Sequence, residues 1–233
     1  RRTRRGQPGI CGRLRTKWWP AMDKKFCIFD MDGTLVDSMP IWKSLGRDYL
    51  EARGHQPTQA QLAAMGPMTM LEGAAFLMET FGVEGPPERI IDEMHAVMEN
   101  HYRTDIPLKP GIQDYLEGLK KRGTRMCVAT ATAEPLARAC LERLGVAHYF
   151  DFILSCETVG KGKTRPDVYL EAARRMGSAP EDTAVFEDAL YAAQTAKEAG
   201  FYTVGVPEAA YGQDWPALAA LADETILDWR KAL

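Results

Sequence analysis

The chain has 233 residues, 45% of them hydrophobic and 26% charged, with a formal net charge of −3. That length is enough to bury a full core, as one large domain or a core carrying an insertion; the charged fraction and the lack of an apolar run of spanning length exclude an integral helical membrane protein. Arg1, Arg2, Arg4, Arg5, Arg13, Arg15 and Lys17 crowd the start without an acidic partner, so the rest is acidic and offers no clustered cations to a nucleic-acid backbone.

Residues 1–21 read as a basic, disordered extension ahead of the folded part. A secretory signal is disfavoured, because Gly, Arg and Lys interrupt residues 10–19, where its apolar segment would lie. An Arg-rich, acid-poor stretch also suits an organellar transit peptide or a nucleic-acid arm. Met22, followed at once by a strand pattern, reads as the natural start.

A first strand is expected over residues 26–29, Phe-Cys-Ile-Phe, a continuous apolar run that breaks at Asp30-Met31-Asp32-Gly33. Such a run suits a strand buried on both faces of a parallel sheet. Across residues 37–107 apolar positions follow helical spacing and no strand pattern occurs. Helices are expected at 41–53, 59–65, 69–81 and 88–102, separated by Gly54, Gly66-Pro67 and the stretch 82–87. This is an all-helical cap inserted directly after the acidic turn. Further strands are expected at 126–129, 152–154, 184–186 and 202–206, alternating with helices at 112–122, 135–144 and 190–199 that Gly123, Gly145 and Gly200 close. The alternation describes an α/β core, a doubly wound parallel sheet formed by residues 22–36 and 108–233.

Ligands of an open α/β sheet gather beyond the carboxyl ends of its strands. Polar residues stand there at four places: Asp30 with Asp32, Thr130, Lys163 ahead of Pro166-Asp167, and Glu187 with Asp188. The period-two spacing of Asp30 and Asp32 can aim both carboxylates into one crevice, with Gly33 permitting the tight turn. One carboxylate can attack phosphorus while the other moves protons. Glu187 and Asp188 add oxygen ligands that suit Mg²⁺, without which so many carboxylates would repel one another. Lys163 would supply a fixed positive charge, and Thr130 a hydroxyl for a phosphate at a helix N-terminus. Each feature taken singly also has a plain structural reading: a turn, a helix N-cap, an acidic first turn, an exposed lysine. Gly162-Lys163-Thr164 is not a phosphate-binding P-loop, since Glu157 stands where its first glycine is needed. His55, His95, His101 and His148 are scattered without ligand or triad spacing. Cys11, Cys27, Cys127, Cys140 and Cys156 are widely spaced with no CxxC pair, as reduced thiols of a cytoplasmic protein would be.

Taken together, Asp30-Met31-Asp32-Gly33-Thr34-Leu35-Val36-Asp37-Ser38, Thr130, Gly162-Lys163 with Pro166-Asp167, and Val185-Phe186-Glu187-Asp188 resemble the motifs of the haloacid dehalogenase superfamily, in its beta-phosphoglucomutase and phosphatase branch with a helical cap. The resemblance covers residue 25 to the C-terminus. It implies that Asp30 becomes an aspartyl-phosphate, that Asp32 is general acid/base, that Thr130 and Lys163 hold the phosphate, and that Mg²⁺ is bound by Asp30, Glu187, Asp188 and the main-chain carbonyl of Asp32. Gly33, Thr34, Ala131 and Trp42 are the expected substrate-binding positions. Ala189 and Ala192 depart from the family's usual serine and glycine, and Thr164 from its usual proline. The presence of both aspartates disfavours dehalogenation. Residues 65–70 carry no Arg or Lys, and Trp42 stands where mutases of this type carry a histidine, so a phosphatase of a small phosphorylated metabolite is expected ahead of a sugar-phosphate mutase or a noncatalytic phosphate-binding protein. Hinges are expected near 37–40 and 104–107, with Met39, Trp42 and Met68 lining an apolar pocket.

Overall fold

The computed structural model describes residues 23–65, 68 and 70–232; the expected basic extension, Gly66-Pro67 and Thr69 lie outside them. Strand β1 (Phe26–Phe29) forms where the apolar run is expected, with Cys27, Ile28 and Phe29 fully buried. Its side chains alternate between two cores: Cys27 and Phe29 face one that continues into the cap, and Ile28 faces the other, with Cys127, Val185 and Tyr169. Strands β2 (Arg125–Thr130), β3 (Ile153–Ser155), β4 (Thr183–Glu187), β5 (Tyr202–Gly205) and β6 (Glu224–Thr225) complete a sheet in the order β3-β2-β1-β4-β5-β6, parallel throughout. Strand β6 was not expected. It has two polar residues on the sheet edge and hence no apolar run to announce it.

Between β1 and β2 come α1 (Met39–Glu51), α2 (Gln59–Met65), α3 (Met70–Phe81), α4 (Pro87–Thr104) and α5 (Ile112–Lys121). The first four make the all-helical cap. Helices α1 and α4 begin earlier than spacing suggested, with Pro40 and Pro87 in their first turns, where a missing N–H costs nothing. The two connections to the cap lie side by side: Asp37 N donates to Pro107 O, and Lys109 N to Leu35 O, both at 2.9 Å. After β2 the chain forms α6 (Glu134–Arg143), α7 (Cys156–Val159), α8 (Asp167–Met176), α9 (Leu190–Glu198) and α10 (Trp215–Leu221).

Phe29 and Phe186 are register partners and stack at 4.3 Å between centroids, packed edge-on by Tyr115 and tilted against Trp229. Burying a ring of this size contributes about 1.5–3 kcal/mol. This aromatic block lies one residue before Asp30 on one strand and Glu187 on the next, and so fixes where both carboxylates emerge. The described cysteines Cys27, Cys127, Cys140 and Cys156 are free and buried.

Candidate active site

The strand order reverses between β1 and β4, and the candidate residues meet at that switch point. Asp30 N donates to Phe186 O at 3.0 Å, carrying the ladder one bond beyond β1 and setting Asp30 beside Glu187. Gly33 has φ 87°, and a Cβ there would collide with the Asp188 carboxylate; both the backbone and the close approach require glycine. Thr34 Oγ1 reaches Asp188 Oδ1 at 3.4 Å. Gly33 and Thr34, expected at the substrate, do not line the cavity; they stand behind Asp188, because the turn folds back on the β4 end before reaching open space.

Lys163 is buried between two carboxylates, bonded to Asp30 Oδ1 and, at 2.7 Å, to Glu187 Oε1. Tyr169 donates to the same Glu187 oxygen at 2.6 Å. Burial, then Glu187 and Asp32, push the Asp30 carboxyl up to about 7 against the pull of Lys163. Burial, then the Asp30 and Glu187 charges, hold Asp188 well above the usual carboxylate range. For Lys163 burial acts to lower the pKa, but the Asp30 and Glu187 carboxylates outweigh it and raise it. One oxygen from each of Asp30, Glu187 and Asp188 lies within 4.8 Å of the others. Oδ2 of Asp30 and of Asp188 is buried with no hydrogen bond, an arrangement that is costly unless charge is supplied. An all-oxygen, acid-rich set with two uncommitted buried oxygens fits a hard divalent cation.

The Asp32 side chain turns away from that group. Ser38 Oγ and Tyr102 Oη donate to its Oδ1 at 2.6 Å each, and Thr132 Oγ1 to its Oδ2 at 2.7 Å. Any share of Asp32 in a metal is therefore left to its main-chain carbonyl. Tyr102, in the last turn of α4, accepts from Trp42 Nε1 of α1 at 3.1 Å, so two cap helices hold one carboxylate of the core. Trp42 and Met39 line the cavity, which measures about 590 Å³; Met68 does not. Ala131 and Thr132 are on its wall, whereas Thr130 is fully buried and its Oγ1 accepts from Thr132 N at 3.0 Å.

Tyr102, Thr132 and Tyr169 received no role from the sequence. Thr132 carried a usable signal, a second hydroxyl two residues beyond the β2 end. Tyr102 carried none, because a tyrosine at an apolar helix position reads as packing until the tertiary structure shows where its hydroxyl goes.

A carboxylate cluster paired with a buried lysine, set at the switch point of a parallel α/β sheet beneath a helical lid, is the architecture of a capped hydrolase. The profile of haloacid dehalogenase-like hydrolases matches residues 24–200, and the chain belongs to that family. It is 30% identical over 173 residues to the phosphorylated carbohydrates phosphatase of Thermotoga maritima, spanning 74% of this chain and 80% of that protein. It is 30% identical over 212 residues to a phosphoglycolate phosphatase of Rhodobacter capsulatus, spanning 84% and 95%. A crystal structure of a candidate beta-phosphoglucomutase from Thermotoga maritima matches with a TM-score of 0.76 at 27% identity, covering 90% of this chain and 96% of that one.

Proposed function

We propose that this chain is a cytoplasmic, Mg²⁺-dependent phosphatase of small phosphomonoesters, sugar phosphates foremost, that works through a covalent phosphate on Asp30. The observation that carries this reading is the meeting of Asp30, Lys163, Glu187 and Asp188 at one end of the sheet, on the wall of one cavity. The Asp30 carboxylate, bonded to Lys163 at the cavity wall, is the attacking group. As the new O–P bond forms, the ester P–O bond breaks and the leaving oxygen takes a proton from Asp32. Asp32 then removes a proton from water, whose oxygen attacks phosphorus, releasing phosphate and regenerating Asp30. Lys163 would hold the phosphoryl oxygens, with Ala131 and Thr132 on the wall beside it; Thr130, expected in that role, is fully buried behind them and accepts from Thr132 N. A Mg²⁺ ion held by Asp30, Glu187, Asp188 and the Asp32 carbonyl would supply the positive charge that keeps Asp30 ionised and balances the phosphoryl oxygens. Free buried thiols suit a reducing compartment.

The names of the matched relatives support a phosphatase of carbohydrate phosphates or phosphoglycolate. The fold likeness to a candidate mutase raises the second reading. Against it, Trp42 stands on the wall with its only donor spent on Tyr102, leaving it no bond for a distal phosphate. Phosphate release from sugar phosphates should require Mg²⁺, stop with EDTA and vanish in Asp30→Asn. Retained turnover in that variant would defeat the reading, and conversion of beta-glucose 1-phosphate to glucose 6-phosphate faster than phosphate release would move the assignment to a mutase.

A further inference from the structure

The wall opposite the phosphoryl site is built by α4. Asp92, His95, Glu99 and Tyr102 recur at intervals of three and four and form one face of that helix, turned to the cavity. Tyr102 bonds to Asp32, so the leaving group of an ester attacked at Asp30 lies along this face. Glu157 of α7 adds a third carboxylate beyond the Asp30–Glu187–Asp188 cluster, and the rings of Trp42, Tyr191 and Tyr211 are also on the wall. Among the described residues Lys163 is the lone lysine or arginine on the wall, and it is already bonded to Asp30 and Glu187. Arg103 pairs with Glu99 at 2.9 Å, but both side chains are about half exposed and Arg103 is not on the wall; such a pair leaves most of the Glu99 charge felt by a neighbour. Gly66, Pro67 and Thr69, outside the described residues, carry no charge.

We infer that the site selects phosphomonoesters whose leaving group is neutral or bears an ammonium group, and turns away those bearing a carboxylate or a second phosphate. The inference rests on the phosphatase reading and narrows it. A carboxylate on the leaving group would face Asp92, Glu99 and Glu157 in a crevice where fields are focused, and like-charge placement of this kind is an effective device of specificity. Hydroxyls can donate to the same carboxylates. An ammonium group gains both their charge and the faces of the rings.

Two sets of substrates differ in the group at the distal end: ethylene glycol monophosphate, phosphoethanolamine and phosphoglycolate; and sorbitol 6-phosphate, 1-amino-1-deoxysorbitol 6-phosphate and 6-phosphogluconate. With the full chain and Mg²⁺, kcat/KM should fall at least tenfold from the hydroxyl to the carboxylate member of whichever set turns over, with the ammonium member at least equal to the hydroxyl member. The gap should narrow as salt rises, and Glu99→Lys should narrow it further. A carboxylate member hydrolysed as fast as its neutral counterpart overturns the inference and leaves the phosphatase reading standing. A gap indifferent to both salt and Glu99→Lys overturns it too, since shape would then be the cause. Phosphate released from none of the six removes the phosphatase reading and this inference with it.

Discussion

The cavity joins two regions built on opposite terms. On the core side Asp30, Lys163, Glu187 and Asp188 are charged and at most 6% exposed, each emerging from or packed against a strand end. On the cap side Asp92 and His95 are exposed and Glu99 half-buried on an amphipathic helix. Buried charge is tolerated only with fixed partners, so the core side can support one chemistry. The helix face carries no such obligation, and its side chains can be exchanged to suit different leaving groups without unsettling the fold. Tyr102 belongs to both regions, being 1% exposed on a cap helix and bonded to a core carboxylate.

The sharpest break of this contrast is Asp30→Asn, which should lower kcat for phosphate release at least about 10³-fold with a circular dichroism melt no lower than that of the parent. Lys163→Met leaves Asp30 and Glu187 without their shared cation, and urea unfolding should show a loss of about 3–5 kcal/mol. A loss below 1 kcal/mol would mean that the buried carboxylates do not depend on it. Tyr102→Phe removes the cap's bond to Asp32 and strands the Trp42 donor. It should cost about 1–2 kcal/mol of stability and about tenfold in kcat on alkyl phosphates. An activated aryl phosphate, whose leaving group needs no proton, should suffer less in its phosphorylation step, and equal losses on both would reduce Tyr102 to packing.

The smallest effect lies wholly within the cap. Glu93 accepts from Tyr49 and Arg53 at 2.6 Å and from Arg89 at 2.9 Å. The Tyr49 and Arg89 hydrogen bonds hold its carboxyl down to about 2 from an ordinary 4.5. A depressed carboxylate stabilises the fold above its unfolded value and loses that contribution as pH falls through the folded one. Glu93→Gln should thus lower the melting temperature by a few degrees at pH 6, with the difference from the parent shrinking between pH 4.5 and 2. No corresponding change in kcat is expected, since Glu93 is not on the cavity wall.

The local chemistry of the chain determined a good deal by itself. Unbroken apolar runs at β1, β2 and β4 announce doubly buried strands, and the acidic and hydroxyl residues following them mark the ligand end of a parallel sheet. The helical periodicity of the cap is equally legible, because α1, α3 and α4 each bury one face. Pairing across long distances was not legible. Gly33 and Thr34 support Asp188 from 155 and 154 positions away in sequence, Tyr102 holds Asp32 from 70 away, and α4 turns Glu99 toward the cavity. Only the tertiary structure decides these, because a hydrogen bond or a charged wall depends on where side chains end in space, whereas strands and helices are written in the spacing of neighbours along the chain.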